Sequence, residues 1–171
     1  MKKSIIPALI IGTSLSMSAV ADVNLEGVWQ VQDAENTQET LDTAVEEVVQ
    51  EMNFFIRKIA RNKLKEQAQV CNTWNFATLN SNFSWQCNQD EIFELASAAK
   101  DQSVTKEDGS VFTGTISRGE NYIATILTGE KGVRTNMWKK VSENEMLYTA
   151  TIESEKLPQP LTWTLVYKLA Q

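Results

Sequence analysis

The sequence predicts a mainly β protein with one long α-helix: an antiparallel meander closed into a barrel, the helix inserted after the first strand. Three observations carry that prediction. Apolar residues at positions 41, 45, 48, 49, 52, 55, 56, 59, 60 and 64 recur every three or four residues, the period of one helix face. Beyond Gln69 that period stops. Short runs rich in Thr, Val, Ile, Trp, Phe and Tyr take over, with a turn signal every eight to twelve residues. The last of these runs alternate cleanly, with Leu161, Trp163, Leu165, Tyr167 and Leu169 against Thr162, Thr164, Val166 and Lys168.

In chain order, Lys2 and Lys3 precede an apolar stretch from Ile5 to Met17 and then Ala19-Val20-Ala21. Positive charge, a short apolar core and a small-x-small site make a secretory signal peptide, residues 1–21, cleaved near Ala21. The stretch is interrupted by Pro7, Gly12, Ser14 and Ser16 and is short for a bilayer span. No Cys stands near the cleavage site to carry a lipid anchor. Nothing after residue 21 is apolar for long enough to be a transmembrane helix, so the expected location is periplasmic or secreted. The remaining residues 22–171 are expected to form a single barrel domain.

Val28, Trp29 and Val31 place a first strand near 26–32. The helix is expected over about 38–66, with Asn36 as N-cap and Glu39 as its box partner. Glu39, Asp42, Glu46, Glu47 and Glu51 crowd its first half and Arg57, Lys58, Arg61, Lys63 and Lys65 its second, in the sense the helix dipole favours. Strands follow near 70–79, 82–88, 91–97, 102–107, 110–118, 121–128, 132–141, 145–154 and 161–169. Pro158 and Pro160 fall between the last two, where no ladder bond is lost. The helix should lay its apolar face over the barrel mouth or one side.

Composition excludes several function classes. With 42% apolar residues among 171, the chain can bury a core. Its 16 Lys+Arg stand against 22 Asp+Glu, a net charge of −6 that becomes −8 once the two leader lysines go. No nucleic-acid partner is expected, since phosphate binding needs a basic face. There is no histidine, which removes Ser-His-Asp and Cys-His catalysis and His-based zinc sites. No metal, cofactor or catalytic residue is expected, and no enzymatic activity. Cys71 and Cys87, the only cysteines, would be joined in an oxidising compartment. A loop of that size is worth about 3 kcal/mol in the chain-entropy model.

Leu25-Glu26-Gly27-Val28-Trp29, opening an antiparallel chain, resembles the start of lipocalin-like (calycin-type) barrels. In that family a Gly-x-Trp begins strand one and the Trp closes the barrel floor; Gly27 and Trp29 match it. Where the family often sets an Arg from the last strand on that Trp, this chain offers Lys168. The family's usual helix follows the strands, whereas this one follows strand one. The wider pattern is also similar to secreted bacterial proteins of unassigned role, with a closing Leu157-Pro158-x-Pro160 and Val166-Tyr167. The lipocalin resemblance implies binding of a small apolar molecule inside the barrel.

On that reading the candidate ligand-binding residues are Trp29, Trp74, Phe76, Tyr122, Trp138, Tyr148 and Trp163. Rings with a few polar groups hold apolar ligands, although small barrels are also filled by their own side chains. Asp90-Glu91 and Glu107-Asp108 are carboxylate pairs at turns, expected to be solvated. Phe54 falls off the main helical stripe and is expected to be exposed. The basic cluster from Arg57 to Lys65 reads as a solvated helix end or as a seat for an anionic group. Two functions follow: a periplasmic or secreted carrier of a small apolar or amphipathic ligand such as a fatty acid, or a cell-envelope protein-binding module acting through an acidic surface.

Overall fold

A computed structural model describes residues 23–106 and 108–170. The signal-peptide residues and Glu107 lie outside the described residues. The chain runs β1 (Gly27–Val31), α1 (Ala34–Gln50), α2 (Phe54–Gln67), β2 (Thr73–Leu79), β3 (Asn82–Cys87), β4 (Phe93–Ala96) and β5 (Gln102–Thr105). It continues through β6 (Val111–Arg118), β7 (Tyr122–Gly129), β8 (Gly132–Lys140), β9 (Glu145–Glu153) and β10 (Leu161–Leu169). All strands are antiparallel and form one sheet in the order β4-β3-β2-β1-β10-β9-β8-β7-β6-β5.

The meander thus coils so that β1 sits between β2 and β10, with Trp29 opposite both Trp74 and Leu169. The two sheet edges, β4 and β5, do not pair with each other. Contacts span the gap instead: the Ala96 amide of β4 donates to the side-chain oxygen of Gln102 on β5 at 3.0 Å, and Phe93 of β4 stacks on Phe112 of β6 at 6.0 Å. The result is a nearly closed barrel.

The expected single helix over 38–66 is two helices. Glu51 ends α1, and Asn53 starts α2 by accepting from the Phe55 amide at 3.0 Å. A side chain that satisfies a free first-turn amide begins a new helix even where the apolar period continues. The expected Asn36–Glu39 cap is displaced as well. Asp33 is the N-cap, at a left-handed φ of 50°, and the Asn36 amide is its donor. Helix α1 buries Leu41, Val45, Val48 and Val49 against the barrel beside β10, where the Gln32 amide donates to the Val166 carbonyl at 2.8 Å. Arg61 to Glu46 and Lys65 to Asp42 tie α2 back to α1.

Gly27 shows why strand one opens on glycine. Its φ is +119°, and a Cβ there would meet Leu169 Cδ1 at 3.2 Å. Cys71 and Cys87 are joined, with their Cα atoms 5.2 Å apart. No helix among the described residues is long and apolar enough to cross a membrane.

Candidate functional site

Alternation decides which rings enter the barrel. Trp29, Trp74, Phe76, Trp138, Tyr148 and Trp163 are all buried on its inner face. Tyr122 is not among them. It pairs with Lys139 while its neighbour Ile123 pairs with Trp138, so Tyr122 stands on the outer face, half-buried over Gly119. Lys168 is exposed and makes no stack on Trp29, whose indole N–H instead donates to the Leu25 carbonyl at 2.9 Å.

The inward rings touch one another. Trp138 of β8 lies 5.3 to 5.9 Å from Phe76, Trp74, Trp85, Phe83 and Tyr148. β2 and β3 lie four or more strands from β8 in the sheet, so these contacts cross the barrel. The centre is filled with rings rather than hollow, as small barrels are. The N–H groups of Trp74, Trp138 and Trp163 have no acceptor among the described residues. Packing, not hydrogen bonding, therefore positions those three indoles.

Two arginines stand inside this apolar frame, and neither was singled out from the sequence. Arg134 sits at the helix-covered end. It donates to Asn136 Oδ1 at 3.0 Å, to the Tyr148 hydroxyl at 3.2 Å and to the Gln67 carbonyl at 3.2 Å, and lies over Trp163. Tyr148 in turn donates to Asn136 at 2.8 Å, and Asn136 to Thr125 at 3.2 Å. Arg134, Tyr148 and Asn136 each donate to a neutral acceptor, so these side chains are satisfied where they meet the core.

Arg118 sits at the opposite end, where β6 finishes. A pocket of about 210 Å³ opens there, with Val23, Leu25, Phe76, Phe83 and Ile123 as its apolar wall and Arg118 and Ser97 as its polar one. Glu26 stands at the rim. The guanidinium lies over the Phe83 ring and makes only long bonds, to the Ser97 carbonyl at 3.3 Å and its hydroxyl at 3.4 Å. Among the described residues no carboxylate is within ion-pair distance of Arg118. A half-buried cation with weak neutral partners, at the edge of an apolar pocket, keeps capacity for a charge-assisted bond. Only Phe76 of the sequence-expected set lines this pocket. An Arg at the end of a strand carries no pattern that separates it from a surface Arg, which is why it escaped notice.

Elsewhere the carboxylates offer little chemistry. Asp90 is exposed, and Asp108 is held below the usual carboxylate range by hydrogen bonds from Ser110. No group of three potential metal ligands gathers among the described residues. A more open groove of about 590 Å³ runs along α1, lined by Glu39, Asp42, Glu46, Glu47 and Lys65 among others.

No protein-family model matches the chain, and no curated protein does. Among solved structures the chain is similar to a fatty acid transporter, REP1-NXSQ, with 14% identity and a TM-score of 0.52. The match covers 86% of this chain and 96% of that one. Human cRBP IV (13% identity, TM-score 0.48) and lipid binding protein 8 of Caenorhabditis elegans (12%, 0.48) also match, each over 86% of this chain and 99% of its own. At such identity the likeness speaks for the fold alone, a ten-stranded, nearly closed antiparallel barrel.

Proposed function

We propose that this protein is a non-enzymatic carrier of a small amphipathic acid, such as a short fatty acid, working in the periplasm or outside the cell after loss of residues 1–21. The observation that supports this reading is the pocket at Arg118: an apolar wall beside a cation that no carboxylate neutralises. The apolar wall takes a hydrocarbon tail and the guanidinium takes a carboxylate head. At about 210 Å³ the pocket is smaller than the ~300–1,000 Å³ of ordinary ligand sites, so the ligand is short or the rings of the core shift to admit more.

The test is calorimetric titration with straight-chain carboxylic acids of increasing length and with the matching alcohols. Acids should bind better than alcohols. Arg118→Gln should weaken the acids by about 10- to 100-fold, the worth of one charged hydrogen bond, and leave the alcohols unchanged. Protein purified without denaturation should also carry an extra mass that organic solvent removes. Failure of every acid to bind, together with a bare native mass, would sink the reading.

The acidic face of α1 favours a second reading, a module that captures a basic envelope protein. That reading requires a stoichiometric, salt-sensitive complex in pull-downs from envelope extracts.

A further inference from the structure

Four large apolar side chains, Phe54, Phe55, Ile56 and Ile59, are exposed in the first turns of α2, and the Phe54 and Phe55 rings meet edge to face at 6.0 Å. An isolated exposed ring carries no message, whereas a contiguous apolar patch marks an interaction surface. Beside this patch runs the open groove of α1. Glu39 and Glu47 are exposed there, and neither is in an ion pair among the described residues. The same is true of Lys58 on α2. The two helices thus present unlike faces side by side, an acidic one on α1 and an apolar one with a free cation on α2.

Helix geometry fixes how these faces lie. Phe55 and Ile59 share the outward line of α2, opposite Leu64, its one buried residue. Glu39, Thr43, Glu47 and Gln50 are the exposed line of α1, opposite the buried Leu41, Val45, Val48 and Val49. The helices run antiparallel, because Lys65 holds Asp42 while Arg61 holds Glu46. Four residues before Arg61, Arg57 donates to the Gln50 carbonyl at 2.8 Å. Lys58 is therefore level with Glu47 and Gln50. Phe54 and Lys58 stand two turns before Arg61 and Lys65, so both lie on the side of α2 that looks toward α1.

We propose that two copies of this chain pair through the helical face, each laying its α2 over the α1 of the other. In a two-fold contact every pair of residues that meets does so twice. An axis running along the helices, between α1 and α2, keeps their levels matched. It sets Lys58 of each copy against Glu47 of the other. It brings the two Phe54 rings together at the axis, and it lays Phe55 over the turn that follows α1 in the second copy, where Met52 is only half-buried. An axis along α2 itself would oppose Lys58 to Lys58, which like charge disfavours. The acids on the same face also repel an anionic surface. A second copy is the occupant that covers the rings and answers both signs of charge at once.

The experiment is sedimentation velocity on protein purified without denaturation, over a range of concentrations at low salt. A monomer–dimer equilibrium is expected, weakened by added salt. Phe54→Ser combined with Phe55→Ser should abolish it. Lys58→Glu and Glu47→Lys should each weaken it about tenfold or more, because each opposes like charges twice. Mixing those two variants in equal amounts should restore a dimer holding one copy of each, in which both opposed pairs are again of unlike charge. All four side chains are exposed, so every variant should keep the circular dichroism of the wild type. Three outcomes overturn the proposal: a wild type that is monomeric throughout, including one that sediments with phosphatidylglycerol vesicles instead; a dimer that survives Phe54→Ser, Phe55→Ser; or charge variants whose mixture dimerises no better than either alone. The Arg118 pocket opens at the other end of the barrel and no acid is added, so failure of the carrier reading would leave this result standing.

Discussion

The hydroxyl of Tyr167 donates to the carbonyl of Cys71 at 2.6 Å, joining the last strand to the entry of β2 across 96 residues. Tyr167 is fully buried, and burial holds its hydroxyl well above the usual phenol range, with Tyr148 adding to the effect. Burial thus favours the protonated, donating form of the hydroxyl. Tyr167→Phe should destabilise the protein by about 1–3 kcal/mol, the cost of a buried carbonyl left unpaired. Urea denaturation measures it, and an unchanged midpoint would mean that Cys71 finds another donor.

The bridge between Cys71 and Cys87 closes a short loop around the β2–β3 hairpin, where Cys87 also pairs with Trp74. Replacing both cysteines by Ala should lower stability by about 3 kcal/mol in the chain-entropy model. Adding reductant to the wild type should move its denaturation midpoint the same way. A wild type indifferent to reductant would show that the hairpin ladder alone sets this region.

Trp138 is the ring on which the two sides of the barrel meet. Trp138→Ala should cost about 3–5 kcal/mol, because the surrounding rings cannot collapse into the space it leaves. Trp138→Phe should cost clearly less, since the indole N–H makes no hydrogen bond that could be lost. Equal losses in the two variants would contradict packing as the source.

Gly114 lets β4 lean over β6. A Cβ on it would come within 2.5 Å of Leu95 Cδ2, and Leu95 is completely buried, with nowhere to turn. Gly114→Ala should therefore destabilise by about 1–3 kcal/mol through overpacking. Thermal unfolding checks it, and a neutral result would show that β4 yields at this seam.

Two carboxylates set a pH dependence. A hydrogen bond from Lys65 holds Asp42 below its ordinary value, and one from Arg61 does the same for Glu46. A carboxyl whose folded value is depressed contributes stability above its unfolded value and loses it as pH falls through the folded one. The α1–α2 clamp should therefore be at full strength above about pH 5 and fade below about pH 4. All four side chains are more than a third exposed, so the effect is small and sensitive to salt. Amide protection factors in α2, corrected for the intrinsic pH dependence of exchange and followed from neutral pH to acid, should fall in that window and cease to do so in Asp42→Asn, Glu46→Gln protein.

All ten strands were legible in the sequence, because alternation such as Met146, Tyr148, Ala150, Ile152 reports directly which side of a pleat is buried. The helices were legible only as a period. Phe55, Ile56 and Ile59 continue the spacing of Leu41, Val45 and Val48, but a period records that side chains share a face, not what that face meets. Here it meets the barrel in α1 and solvent in α2. Of the candidate rings, Trp29, Trp74, Phe76, Trp138, Tyr148 and Trp163 face inward and Tyr122 faces outward, because a one-residue shift in register reverses the side. Arg118 was not legible at all. Its significance depends on residues as distant as Val23 and Phe83, and on the absence of a nearby carboxylate, which only three-dimensional proximity reveals.

The pairing of β1 with β10 orders events in time. A chain that emerges N-terminus first, whether from a ribosome or through a membrane pore, presents β1 long before its second neighbour exists. Trp29 must wait for Leu169, and Val31 for Tyr167, until almost the last residue is free. The β6–β9 meander can zip as it appears, because each strand follows its partner through a short turn. The seam between β1 and β10 can thus form only once the last strand is free, and a chain stopped short of β10 cannot join β1–β4 to β5–β9.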